Sequence, residues 1–287
     1  MESPKGKLIA IGGNVDIGTD DKGSATHQSI NFFEFGILQR ILSEMKGKNS
    51  VIEVITTASL IPEEIGQSYL EAFARLGCYT ANVMHIKNRP DTQNPEFIER
   101  IRRADGVMFT GGNQLRLSSI FGGTDILRVM QERYKNEAFL IAGTSAGAMA
   151  MSSTMIYEGE SHEALFKGEV RITTGLDLIG NVIIDTHFIT RGRFGRLAQS
   201  VASNPACIGI GLGEDTGVLI SGGNHLETIG SGLVLIFDGH DIKHTNIAEV
   251  PEGFPISIEN LVIHVLAKGN SYLLRERAFM PTTELSL

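Results

Sequence analysis

Apolar residues in this chain come in short blocks that stop at glycine or at a polar turn. The blocks are LIAIGG (8–13), VIEVITTAS (51–59), VMFTGG (107–112), FLIAGTS (139–145) and VIIDTHF (182–188). Continuous apolar runs of this length predict strands buried on both faces, as in parallel sheets. Between the blocks the apolar positions switch to helical spacing. Helices are predicted over 28–46, 62–76, 95–103 and 124–135, with Pro62 opening the second. This alternation predicts βαβ units, and hence an α/β fold with a mostly parallel, doubly wound sheet. After about residue 205 the pattern changes to glycine-broken pieces: CIGIGL, TGVLIS, HLETIG, GLVLIFDG and LVIHVLAKG. These predict additional antiparallel strands in the C-terminal part. No Pro- or Ser-rich linker, charge block or fixed repeat interrupts the chain, so residues 1–287 are expected to form a single domain.

Composition narrows the partners. With 33 acidic and 25 basic residues, the formal net charge is -8. That balance argues against nucleic acid, whose phosphates call for a concentrated basic surface. It suits a cationic substrate. Cys78 and Cys207 make neither a disulfide framework nor a zinc motif, and are expected to be small buried hydrophobes. The opening MESPKGKLIAIGG lacks the pattern of a signal peptide, and no apolar run approaches the roughly 20 residues needed to cross a bilayer. A soluble cytoplasmic protein with no membrane partner is the expectation.

The chemistry centres on AFLIAGTSAGAMAMSS. An apolar strand ends in Gly143-Thr144-Ser145-Ala146-Gly147, and a helix-compatible run follows. Strand, tight turn and helix around G-x-S-x-G form the context of a nucleophile elbow. The turn strains the serine backbone, so its neighbours must be small. It lifts the hydroxyl clear of the sheet at a strand's carboxyl end, where open α/β sheets bind ligands. The N-terminus of the next helix would then offer backbone N–H groups and a dipole to an oxyanion.

A second glycine loop, VMFTGGNQ (107–114), also ends a strand. The N–H of Gly112 and that of Ala146 are the expected oxyanion donors, while Asn113 and Gln114 offer amides to orient a substrate. No GxxxxGK[ST] pattern accompanies the loop, which argues against phosphate binding.

A serine needs a base, and the chain has eight histidines. His187 stands out because it follows VIID at the same kind of strand end as Ser145. The imidazole in turn needs an anion to fix its tautomer. Glu214 is favoured, with Asp215 beside it and Asp185 as further candidates. Asp185 and His187 would share one strand face, which makes Asp185 equally a pocket residue. Arg191, Arg193 and Arg196 follow in ITRGRFGRL. Guanidinium groups can clamp substrate carboxylates, although spacing alone favours ordinary ion pairs.

Taken together, FTGGNQ, GTSAGA, DTHF with RGRFGRL, and GLGEDTG resemble, in this order, the cyanophycinases, serine peptidases related to dipeptidase E. IGGN (11–14) and ITTAS (55–59) are also similar to that family. The resemblance implies a class I glutamine amidotransferase-like, flavodoxin-like fold with serine in the place of a nucleophilic cysteine. It implies Ser145 as nucleophile, His187 as general base and Glu214 as orienting acid, with Gln114, Asp185, Arg191, Arg193 and Arg196 lining the substrate pocket. The implied substrate is cyanophycin, a poly-aspartate backbone bearing an arginine on each β-carboxyl, cut into β-aspartyl-arginine dipeptides. A homodimer without metal or cofactor is implied as well. The chain departs from the family pattern at Thr186, where members often carry glutamine.

Asp16, Glu158 and Glu160 are the candidate acids for the substrate's guanidinium groups. The segment 157–170 (YEGESHEALFKGEV) fits a lid or a solvated loop equally well. Three other readings compete with a cyanophycin-degrading exopeptidase. They are an aspartyl or isoaspartyl dipeptidase with the same triad, an ammonia-passing amidotransferase-like domain, and a non-catalytic binding protein of the same fold. Serine in the nucleophile position argues against the second, because that chemistry relies on a thiolate.

Overall fold

The computed structural model describes residues 3–18 and 36–282. Five strands run parallel: β1 (Lys7–Ile11), β2 (Ile52–Ile55), β3 (Ala81–Met84), β4 (Gly106–Phe109) and β5 (Leu140–Thr144). Their order is β1-β5-β4-β2-β3, set by crossovers through helices. Those helices are α1 (Ile37–Ser43), α2 (Pro62–Arg75), α3 (Pro95–Arg103), α4 (Gln114–Phe121) and α5 (Asp125–Asn136). The helix expected over 28–46 is seen from Ile37 onward, and its first residues, with His27, lie outside the described ones. α4 was not anticipated; Asn113 caps it by accepting the Leu115 N–H.

After β5 comes a single helical turn, α6 (Ala146–Met149), and then a hairpin, β6 (Thr154–Glu158) with β7 (Arg171–Thr174). β8 (Val182–Asp185), α7 (Phe194–Ser203) and β9 (Ile208–Leu212) follow. The remaining strands are β10 (Thr216–Ser221), β11 (His225–Gly230), β12 (Val234–Asp238), β13 (His244–Thr245), β14 (Ile258–Glu259), β15 (Val262–Leu266), β16 (Ser271–Leu273) and β17 (Ala278–Met280). β10, β11, β16 and β17 extend the main sheet antiparallel from β1, giving nine strands. Of the glycine-broken pieces, TGVLIS and HLETIG supply β10 and β11 of this antiparallel extension, whereas CIGIGL, GLVLIFDG and LVIHVLAKG supply β9, β12 and β15 elsewhere.

One expectation needs correction. VIID was read as a further strand of the parallel sheet. β8 is parallel, but its partner is β9, in a separate four-stranded sheet of order β15-β12-β9-β8. An apolar run reports burial on both faces and does not say which sheet provides it.

Helices cover both faces of the main sheet. On one face α1 and α2 bury Ile37, Leu38, Ile41, Tyr69 and Phe73 against Ile9, Ile11, Ile52 and Val54. On the other, α3, α4 and α5 pack with β4 and β5 in a cluster that runs on through Ile183, Ile184, Leu197, Ile210 and Phe237 of the second sheet and its helix. The crevice between the two sheets is thus closed by a shared core. Cys78 and Cys207 are buried free thiols. Among the described residues no helix is long and apolar enough to cross a membrane.

Candidate active site

The loop leaving β1 joins the pieces of the site. Three successive carbonyls, those of Ile11, Gly12 and Gly13, accept the N–H groups of Ser145 (2.8 Å), His187 (2.9 Å) and Asp215 (2.9 Å). Each of these three residues has positive φ, at 50°, 50° and 41°. For non-glycine residues that backbone is strained and must be held by its surroundings. Here the β1 carbonyls do the holding.

Ser145 occupies the expected elbow, with φ 50° and ψ -113°. Its small neighbours are needed for space. A Cβ on Gly147 would lie 2.5 Å from the Phe109 carbonyl oxygen, and one on Gly143 2.6 Å from the Gly147 carbonyl carbon. The helix beneath the serine is shorter than expected, because α6 ends at Met149. A macrodipole sums over aligned peptides, so one turn contributes mainly its free N–H groups. Among the described residues neither the Ala146 nor the Gly112 N–H donates to a partner. Gly111 lies against the nucleophile: a Cβ there would be 3.9 Å from Ser145 Oγ. Gly112 has φ +139°, and a Cβ would meet the Ala58 oxygen at 2.0 Å, so only glycine fits. ITTAS thus braces the glycine loop through the Ala58 carbonyl, which also accepts the Asn113 N–H (2.9 Å).

The Ser145 hydroxyl is 2.9 Å from His187 Nε2, and His187 Nδ1 is 2.7 Å from Glu214 Oε1. The histidine is 12% exposed and the glutamate 23%, so the relay is shielded and open only at its edge. Asp215, the alternative anchor, turns away. Its carboxylate accepts the Asp16 N–H (3.1 Å) and the Ser231 hydroxyl (2.9 Å). Burial pushes its carboxyl above the usual range, and the nearby Asp16 charge adds to this against the two hydrogen bonds. Asp185 is no anchor either. β8 ends at Asp185 and His187 has left-handed φ, so strand alternation no longer puts them on one face.

The arginine cluster divides. Arg196 Nε donates to Asp185 Oδ2 at 2.6 Å, and its terminal nitrogen bonds the other oxygen of the same carboxylate. Asp185 is fully buried and Arg196 nearly so. Both were expected to line the pocket; each instead has the other as its partner and presents almost no surface. Arg193 is half-buried and donates to the Thr186 carbonyl (2.9 Å) and Asp185 (3.4 Å). Burial lowers its pKa to about 10, with the Arg196 and Arg191 charges adding to the effect and Asp185 opposing it. It remains cationic at neutral pH. The Arg191 side chain is exposed, and among the described residues it has no hydrogen bond or ion pair. Thr186 is buried, with an unpartnered hydroxyl among the described residues.

Gln114 donates its amide to the carbonyls of Ile156 (3.1 Å) and Tyr157 (3.3 Å), which leaves its oxygen as the available group. Asn113 Oδ1 is committed to the α4 cap (2.9 Å). Of the proposed acids, Asp16 lies on the β1 loop against Asp215, Glu158 faces Arg171 at 3.6 Å, and Glu160 is exposed. The 157–170 segment is tethered. Ala164 and Phe166 accept from Gln199, the Leu165 carbonyl accepts the Ile256 N–H, and Ser161 donates to the Arg191 carbonyl. Gly12 and Gly13 were not read from the sequence as builders of the site, although a double glycine ending a strand was the available signal, and Asp215, read as a candidate anchor, instead ties its own backbone to Gly13.

A strained serine bonded through histidine to glutamate, at the carboxyl ends of parallel strands, is the arrangement of a serine hydrolase. Comparison with known proteins gives the family. The chain belongs to peptidase family S51, whose family model matches residues 23–228. It is 33% identical to a cyanophycinase of Synechococcus elongatus over 271 residues, covering 94% of this chain and 80% of that protein. It is 34% identical to a cyanophycinase of Trichormus variabilis, covering 85% of this chain and 82% of the other. The fold is similar to a crystal structure of a peptidase from an acI-B1 actinobacterium (TM-score 0.65, 23% identity, 96% of this chain and 99% of that one). It also resembles a putative peptidase E protein from Listeria monocytogenes (TM-score 0.51, 17% identity, 79% and 98%).

Removing one partner of a buried pair strands the other charge, so Arg196→Ala should cost ~3–5 kcal/mol in denaturant unfolding. Arg191→Ala should stay within about 0.5 kcal/mol. Asp215 has a raised folded pKa, so its stability contribution is present at low pH and is lost as pH rises through that value. Asp215→Asn does not titrate, and its Tm relative to wild type should therefore rise between pH 4 and pH 7. A constant difference would contradict this.

Proposed function

We propose that this chain is a serine exopeptidase that hydrolyses the poly-aspartate backbone of cyanophycin to β-aspartyl-arginine dipeptides. The observation that carries the chemistry is the continuous path from Ser145 Oγ through His187 to Glu214, at 2.9 Å and 2.7 Å. The substrate class rests on the cyanophycinase relatives, which cover most of the chain.

Ser145 attacks the carbonyl between two aspartates. His187 takes its proton and hands it to the departing amine, while Glu214 keeps Nδ1 protonated and steadies the imidazolium. The tetrahedral oxyanion sits on the free N–H groups of Gly112 and Ala146. Water activated by His187 then releases the acyl group. Arg191 and the open edge of Arg193 hold a substrate carboxylate, and the Asp185–Arg196 pair fixes the turn that presents them. Gln114 offers its carbonyl oxygen to a substrate donor, and Asp16, on the same loop as Gly12 and Gly13, is a candidate acid for a substrate guanidinium.

We read the chain as one domain of the class I glutamine amidotransferase-like type, working as a cytoplasmic homodimer. The core shared by both sheets supports the single domain.

Product analysis after digestion of purified cyanophycin tests the proposal. Wild type should release β-aspartyl-arginine, and Ser145→Ala should lower the rate by roughly a thousandfold or more while keeping the native Tm. Intact polymer together with cleaved Asp-Xaa dipeptides would favour an aspartyl dipeptidase. No cleavage of either would favour a binding protein of the same fold.

A further inference from the structure

We propose that Thr190 is a positioning residue for the Ser145–His187–Glu214 relay, an inference that rests on the peptidase reading above. Its Oγ1 donates to Glu214 Oε1 at 2.8 Å. This is the same oxygen that meets His187 Nδ1 at 2.7 Å. The other carboxylate oxygen, Oε2, is buried and without a partner among the described residues. Glu214 is therefore held by two donors on one atom. Two donors on one carboxylate oxygen occupy both of its lone-pair directions and fix the plane of the group. With the histidine alone, the carboxylate could swing about a single bond.

Thr190 is suited to this. Its hydroxyl also lies 3.2 Å from the His187 carbonyl, but a hydroxyl carries one proton, and the shorter, charged acceptor takes it. The residue sits in a tight turn closed by the Arg191 N–H on the His187 carbonyl (3.0 Å) and the Gly192 N–H on the Ile189 carbonyl (3.2 Å). That turn ties the position of Thr190 to the backbone of the base itself. Its β-branch restricts the torsion that aims the hydroxyl. The side chain is exposed, so a change here removes the hydrogen bond without opening a cavity. Thr190 acts only through Glu214 and is not a catalytic residue.

The test is steady-state kinetics of the full chain on cyanophycin, comparing wild type, Thr190→Val and Thr190→Ser. Val keeps the shape and loses the donor, so kcat should fall about tenfold, the usual scale for a hydrogen bond to a charged group. KM should stay within about twofold, because no binding contact is lost, and Tm within about 2 °C of wild type. Ser should restore most of kcat. An unchanged kcat in Thr190→Val, alongside wild-type turnover that requires Ser145, overturns the role of Thr190 and leaves the peptidase reading standing. A fall in Tm that tracks kcat, or no rescue by serine, assigns Thr190 a merely structural role and overturns the inference. Absence of Ser145-dependent turnover in wild type overturns both.

Discussion

Everything at the site depends on three consecutive peptide groups. The carbonyls of Ile11, Gly12 and Gly13 take the backbone N–H groups of Ser145, His187 and the residue after Glu214. These come from separate stretches of chain, two of them flanking strands of the second sheet. One short loop therefore sets the distances among nucleophile, base and acid. Gly13 is essential to it, since a Cβ there would lie 2.2 Å from His187 Cε1. The imidazole rests where a side chain would otherwise be. Strained backbones at Ser145, His187, Asp215 and Asn14 cost ~1–3 kcal/mol each, and they persist because the sheets on either side are locked by a common core.

The turn that follows the base is built on charge pairing. Three arginines in six residues would repel one another in a partly dry crevice. Asp185 removes most of that cost by taking Arg196 as a bidentate partner in the core and touching Arg193 at 3.4 Å. Of the other two guanidinium groups, that of Arg191 is exposed and that of Arg193 half-buried. A buried ion pair here fixes the turn that carries the base.

Much of this was legible in the sequence, for physical reasons. β1, β4 and β5 come from apolar runs ending in turns, as does β2, interrupted only by Glu53, and α2, α3 and α5 follow from helical periodicity with a proline or a capping residue at the start. Ser145 and His187 were legible because strand ends are where such folds expose side chains. Other features were not. The second sheet was hidden because apolar runs carry no address. Glu214 was favoured over Asp215, but the two are neighbours of like chemistry, and only their surroundings in space, His187 for one and Ser231 for the other, tell them apart. Burial of Arg196 could have been suspected from the apolar company it keeps in FGRLAQSVA. Thr190 stands in ITRGRFGRL beside the arginines, but the spacing there says nothing of its hydroxyl, which gains its role only from what lies within 3 Å in space.

The β1 loop, through Gly13, builds the triad. The most direct measurement is the rate at which a fluorophosphonate labels Ser145, read by peptide mass spectrometry, in wild type and in Gly13→Ala. The account predicts labelling of Ser145 in wild type. In a Gly13→Ala protein with native circular dichroism, it predicts labelling at least about a hundredfold slower, because the displaced imidazole can no longer reach the hydroxyl. Equal labelling rates in the two proteins would contradict it.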